Sequence, residues 1–205
     1  MIKPATLLLT FTLLFSLVRA QNVTSKNAVV DSSFTVESST GSMDLPFFDN
    51  SADAEKIVAS IMNVMGLESN FKIKEAHVAN VEAKIRHHQR YILFNPDFVN
   101  QVNRVTQNKW ASIFILAHEV GHHLEGHTLL DISSRPDIEL EADQFAGFVL
   151  YKMGASLKQA QLAMYYIANV EASKTHPGRA DRLLSIEKGW NNAEAGTSNA
   201  LNSSN

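Results

Sequence analysis

The sequence predicts an α+β fold, predominantly helical, with a small antiparallel sheet beside a long apolar helix. Three observations carry that reading. Apolar residues recur at helical spacing through most of the chain from Ser51 to Trp190. Strand-like pieces are confined to a stretch between Phe71 and Phe94. The 205 residues, 45% hydrophobic and 19% charged, suffice for one domain with its own core. A net charge of −3 gives no basis for binding nucleic acid. The absence of cysteine removes disulfides, thiolate metal sites and thiol nucleophiles together, leaving His and carboxylate as the strong metal ligands.

Residues 1–20 read as an export signal. Lys3 supplies the positive start, Ala5 to Val18 the apolar run, and Val18-Arg19-Ala20 a cleavage site before Gln21. The run is about 14 residues, short of the ~20 a spanning helix needs. The protein is therefore expected in the periplasm or outside the cell, with no integral membrane segment once the signal is cut. An uncleaved anchor is the alternative, because Arg19 sits beside the cut. Residues 21–45, rich in Ser, Thr, Val and Asn without a period, read as a flexible lead-in.

The main domain is expected over residues 46–192. Ser51-Ala52-Asp53 starts a helix with Ala54, Ile57, Val58, Ile61 and Met65 on its inner face, ending at Gly66. Phe71–Val78, Asn80–Ile85 and Arg90–Phe94 read as strands, and the edge at Tyr91–Phe94 as the one offered to a ligand. His77, His87 and His88 in this region read as surface or loop residues. Asn95-Pro96-Asp97 opens a helix that breaks near Thr106, and the next runs from Trp110 to His127. Ser134-Arg135-Pro136-Asp137 opens another, stopping near Gly154, with Ile138, Ala142, Phe145 and Val149 inward. Ser156-Leu157-Lys158-Gln159 is a capping box for a helix to about Val170; Tyr165-Tyr166 on it reads as packing. Pro177 to Trp190 closes the domain with Ala180, Leu183, Leu184 and Ile186 inward, and residues 193–205 read as a disordered tail.

The chemistry lies in His118-Glu119-Val120-Gly121-His122. Histidines four apart on a helix share one face, so both imidazoles can reach one metal ion. Composition alone produces this H-E-x-x-H spacing in about one such chain in fifty, so a second observation is needed. Glu139 and Asp143 lie four apart on the following helix with Ala142 and Ala146 beside them, which suits a third ligand in Glu139 and a brace in Asp143. Glu141 points away from Glu139 and is the poorer candidate. Gly121 would let another backbone approach closely. His123 and His127 read as bystanders on the surface of the helix.

Together these elements resemble the H-E-x-x-H plus E-x-x-A-D signature of the peptidase family that includes HtpX, the CAAX prenyl proteases and BepA. His176-Pro177, with Arg182 six residues after the histidine, is similar to the family's late His-Pro…Arg element, so the likeness spans roughly residues 90 to 190. The resemblance implies a zincin-like catalytic domain of gluzincin type. One catalytic Zn2+ would be held by His118, His122 and Glu139, with Glu119 as the catalytic base. His176 and Arg182 would stand near the active site, the histidine stabilising the transition state or covering the metal. It implies a zinc metalloendopeptidase acting on proteins or peptides outside the cytoplasm. The transmembrane helices of HtpX and the prenyl proteases have no counterpart here, which favours a soluble, exported form. The competing reading is a zinc-binding module, latent or chaperone-like, in which a fourth protein ligand such as His176 leaves no place for water.

Overall fold

The computed structural model describes residues 45–129 and 135–202. The export signal, most of the lead-in and the capping role of Ser134 fall outside the described residues. In chain order the elements are α1 (Ser51–Val64), β1 (Lys72–Glu75), β2 (Val81–Arg86), β3 (Gln89–Phe94), α2 (Pro96–Thr106), α3 (Lys109–Leu124), a 3-10 turn (His127–Leu129), α4 (Pro136–Lys152), α5 (Leu157–Ile167) and α6 (Arg179–Asn202). No helix among the described residues is long and apolar enough to cross a membrane.

Helix α3 is buried on every side from Trp110 to His123. A helix without a solvated face must be enclosed by other elements, and α1, α2, α4, α5 and the sheet all pack against it. Its Ile113, Phe114, Leu116, Ala117 and Val120 are fully buried and join α1, the sheet and α4 in one core. Asn50, Asn95 and Asn108 cap α1, α2 and α3, each accepting from a backbone N–H of the first turn. Ser156 and Gln159 form the expected capping box on α5.

The sheet is mixed, not antiparallel throughout. Its order is β1-β3-β2, with β1 parallel and β2 antiparallel to β3. The expectation of a simple antiparallel sheet fails at residues 76–80, where the strands read as Phe71–Val78 and Asn80–Ile85 were to meet with only Ala79 between them. Instead this segment crosses the end of β3: Ala76 N–H donates to the Phe94 carbonyl, Asn95 N–H to the Asn80 carbonyl, and Asn95 Nδ2 to the Val78 carbonyl. The true hairpin joins β2 to β3 through His87 and His88, both left-handed at φ 49° and 62°, as a two-residue turn with positive φ requires. His77, His87 and His88 are exposed, as read. Because β3 is central, Tyr91–Phe94 is not an edge; the strand edge beside α3 belongs to β2.

Two further expectations are corrected at α6. The helix continues to Asn202, through most of the stretch read as a tail, with Ala193 fully buried and Thr197 Oγ1 accepting from Lys152 Nζ. Its inward stripe is Arg182, Ile186, Gly189 and Ala193, whereas Ala180 and Leu184 face solvent. An arginine sets the phase of this helix because its partner is buried in α4. On α5, Tyr165 and Tyr166 are exposed and do not pack inward.

Candidate metal centre

Helix α3 sets His118 and His122 one turn apart, and α4 crosses it at Gly121. A Cβ at that glycine would stand 3.3 Å from Ala142 Cα and 3.1 Å from the Phe145 ring. The missing side chain is what lets the α4 backbone approach, and the approach brings Glu139 to the histidines. His118 Nε2 and His122 Nε2 are 3.1 Å apart. Glu139 Oε2 lies 3.5 Å from the first and Oε1 3.7 Å from the second. An ion bound tetrahedrally at zinc–nitrogen distances has ligand atoms about 3.4 Å from one another. The three side chains therefore stand close to where one ion would need them, and all are buried. They can hold a metal ion.

The far side of His118 is held rigidly. Its Nδ1 lies 2.9 Å from Asp143 Oδ1. Asp143, fully buried, takes a two-pronged pair from Arg182, Nε to Oδ2 and Nη2 to Oδ1, each at 2.7 Å. Arg182 Nη2 also reaches within 3.7 Å of Glu139 Oε2. Bidentate pairing fixes orientation as well as charge. Arg182 thus acts on His118 and Glu139 from behind. The helices that carry this pair interlock through glycine: a Cβ on Gly147 would overlap the Ile186 carbonyl, and one on Gly189 the Gln144 carbonyl. Neither glycine was singled out by sequence reasoning. The signal available was a glycine in each helix interior, where it costs about 1 kcal/mol against Ala and so needs a packing reason.

His122 is supported differently. Its Nδ1 is 3.0 Å from Nδ1 of His127, whose Nε2 is 2.9 Å from Glu141 Oε2. His127 is buried and Glu141 largely exposed. His123, likewise buried, turns to the sheet: Nε2 meets the Tyr91 carbonyl at 2.9 Å, Nδ1 meets Thr128 Oγ1 at 3.1 Å, and the ring stacks on Phe71. The reading of His123 and His127 as surface residues is therefore corrected. α3 ends at Leu124, and Gly126, left-handed at φ 80°, folds the chain back so that His127 lies against His122.

Glu119, next to His118, is buried and stays outside that group of three. Its Oε2 accepts from the Ala83 N–H of β2 at 2.7 Å. Burial, with Glu139 and Glu82 adding repulsion, pushes its carboxyl up to about 8 against the pull of His118 and Ala83. Burial also drives His122 down to about 3. For His118 burial opposes protonation, yet Asp143 and Glu139 carry it up to about 9. Burial works against the Glu139 charge too, but His118, His122 and Arg182 hold its carboxyl well below the usual range. The Asp143–Glu139 side of the site favours a cation, and the neutral His122 keeps a lone pair for one.

His176 lies on the loop before α6, with Nδ1 2.7 Å from the Thr175 carbonyl. It does not belong to the group of converging ligand atoms among the described residues. A small apolar cavity beside His118 and Glu119 is walled by Val81, Phe98, Phe114, Ile115, Met164 and Ile167. The chain matches no family model, no curated protein and no solved structure.

Proposed function

We propose that the protein is a zinc-dependent metalloendopeptidase with a zincin-like catalytic domain. The observation that carries this reading is the convergence of His118, His122 and Glu139 on one point, with the Glu119 carboxylate beside it and free of ligand duty. Two imidazoles and a carboxylate without thiolate suit zinc, and three protein ligands leave a position open to substrate or water. A zinc ion there would polarise the scissile carbonyl and bring the pKa of its water to about 7.

Glu119 serves as the general base: it takes the proton of the attacking water and delivers it to the leaving amine. The Ala83 N–H would hold its carboxylate in place, burial keeps it basic, and a cation bound beside it would favour the ionised form that can accept the proton. Asp143 and Arg182 fix the His118 ring so that Nε2 presents its lone pair. The outer edge of β2, nearest to Glu119, is the strand on which an extended peptide pairs. His176 is the proposed donor to the developing oxyanion. The leader-like composition of residues 1–20 is the reason to propose substrates outside the cytoplasm.

The test is zinc content measured beside peptide hydrolysis in wild type and Glu119→Gln. We expect both proteins to carry zinc and the variant to lose at least about 100-fold in kcat, the scale of a general base. Full activity in the variant would end the assignment of Glu119. The burial of every ligand favours a second reading, a latent or non-catalytic zinc module. Zinc at full occupancy with no hydrolysis by wild type would establish that reading instead.

A further inference from the structure

His127 and Glu141 have no part in the chemistry above, yet they form the one described hydrogen-bonded link from His122 outward. The contact atoms fix the protonation of the link. His122 points Nε2 at His118 and Glu139, so that nitrogen must carry the lone pair when an ion is bound, and Nδ1 must carry the hydrogen. That N–H meets Nδ1 of His127 at 3.0 Å, which must therefore be an acceptor. His127 then bears its hydrogen on Nε2, and this N–H meets Glu141 Oε2 at 2.9 Å. With an ion on His122 Nε2, each donor of the link finds an acceptor only in this arrangement of tautomers. The buried His127 ring also meets the His122 ring edge-on at 5.1 Å between centroids, so it fixes the plane of that ligand as well as its proton.

We infer that His127 is a positioning residue for the second histidine ligand, and that Glu141 sets its tautomer from the surface. The inference rests on the metal site and not on the hydrolytic step. Partners of this kind, one bond removed from the ion, typically change metal affinity about 10- to 100-fold.

The experiment measures zinc affinity by competition with a chelator, together with the visible spectrum of the cobalt-loaded protein, in the full chain. His127→Leu keeps bulk and removes the acceptor; it should bind zinc about 10- to 100-fold more weakly and shift the cobalt bands. His127→Asn offers an amide oxygen near the position of Nδ1 and should stay within about 5-fold of wild type. Glu141→Gln, at an exposed position that does not threaten folding, should lose only a few-fold. Equal weakening in the Leu and Asn variants would mean that His127 acts by packing alone, and unchanged affinity in all three would remove the link altogether. A wild-type protein that takes up no zinc or cobalt would instead overturn the metal site itself.

Discussion

His118 and His122 lie on one helix, one turn apart, and face the same point, yet opposite means hold them. Behind His118 stands Asp143, then Arg182, with no solvent in reach and two helices interlocked through Gly147 and Gly189. Behind His122 stands His127 on a short 3-10 turn, then Glu141 in solvent. A charge pair buried on one side is rigid and costly to break. A carboxylate in water on the other side is adjustable and cheap to lose. The site thus joins a fixed wall to a compliant one, and the two should respond unequally to comparable substitutions.

The largest expected difference comes from removing the outermost partner on each side. Arg182→Ala removes both guanidinium bonds and leaves the buried Asp143 carboxylate to the His118 ring, which should cost about 3–5 kcal/mol of stability. Glu141→Ala removes a partner that is 60% exposed and should cost at most about 1 kcal/mol. Urea unfolding of both metal-free variants measures the contrast, and equal losses would erase the distinction between the walls. A smaller effect sharpens it through residues that touch no ligand. Gly147→Ala forces α4 from α6 and should cost about 1–3 kcal/mol or more while weakening zinc binding through Arg182. Gly126→Ala meets nothing within 4 Å and suffers only its left-handed φ, about 1 kcal/mol. Zinc affinity lost in the second variant and kept in the first would invert the assignment.

The fixed wall was largely legible in the sequence, and the compliant one was not. Glu139 and Asp143 are four apart in a helix beside small residues, so periodicity alone put them on a common face, and Gly121 announced a close approach. His127 follows His122 by five residues. That spacing means nothing on a helix and becomes a contact only because Gly126 reverses the chain. Glu141 looked misdirected for the same reason: it points away from Glu139 toward a residue whose position no period encodes. The order of the sheet was hidden by a connection of hairpin length that instead crosses the end of β3, and by a turn made of two histidines where glycine or asparagine is the usual sign. In α6 the leucines suggested one phase and the Arg182–Asp143 pair imposed another. Local periods reveal faces; they do not reveal which buried charge decides between them.

His123 offers the finest test, because it shares the stretch with both ligands and belongs to neither wall. Burial holds its imidazole down to about 4 against the Tyr91 carbonyl, which favours the proton, while an unfolded histidine titrates near 6.5. Between those values the unfolded chain binds a proton that the folded protein refuses, so this residue makes stability rise with pH across that window and fall as pH drops. Lowering the pH from about 7 to about 5.5 should cost about 1 kcal/mol through His123 alone. His123→Gln keeps a donor for Tyr91 and cannot titrate. The metal-free variant should therefore lose about 1 kcal/mol less than wild type over the same interval, read from paired urea titrations at the two pH values. If the two proteins lose stability in parallel, the His123 ring accepts a proton in place, and the contact between α3 and the central strand is looser than its burial implies.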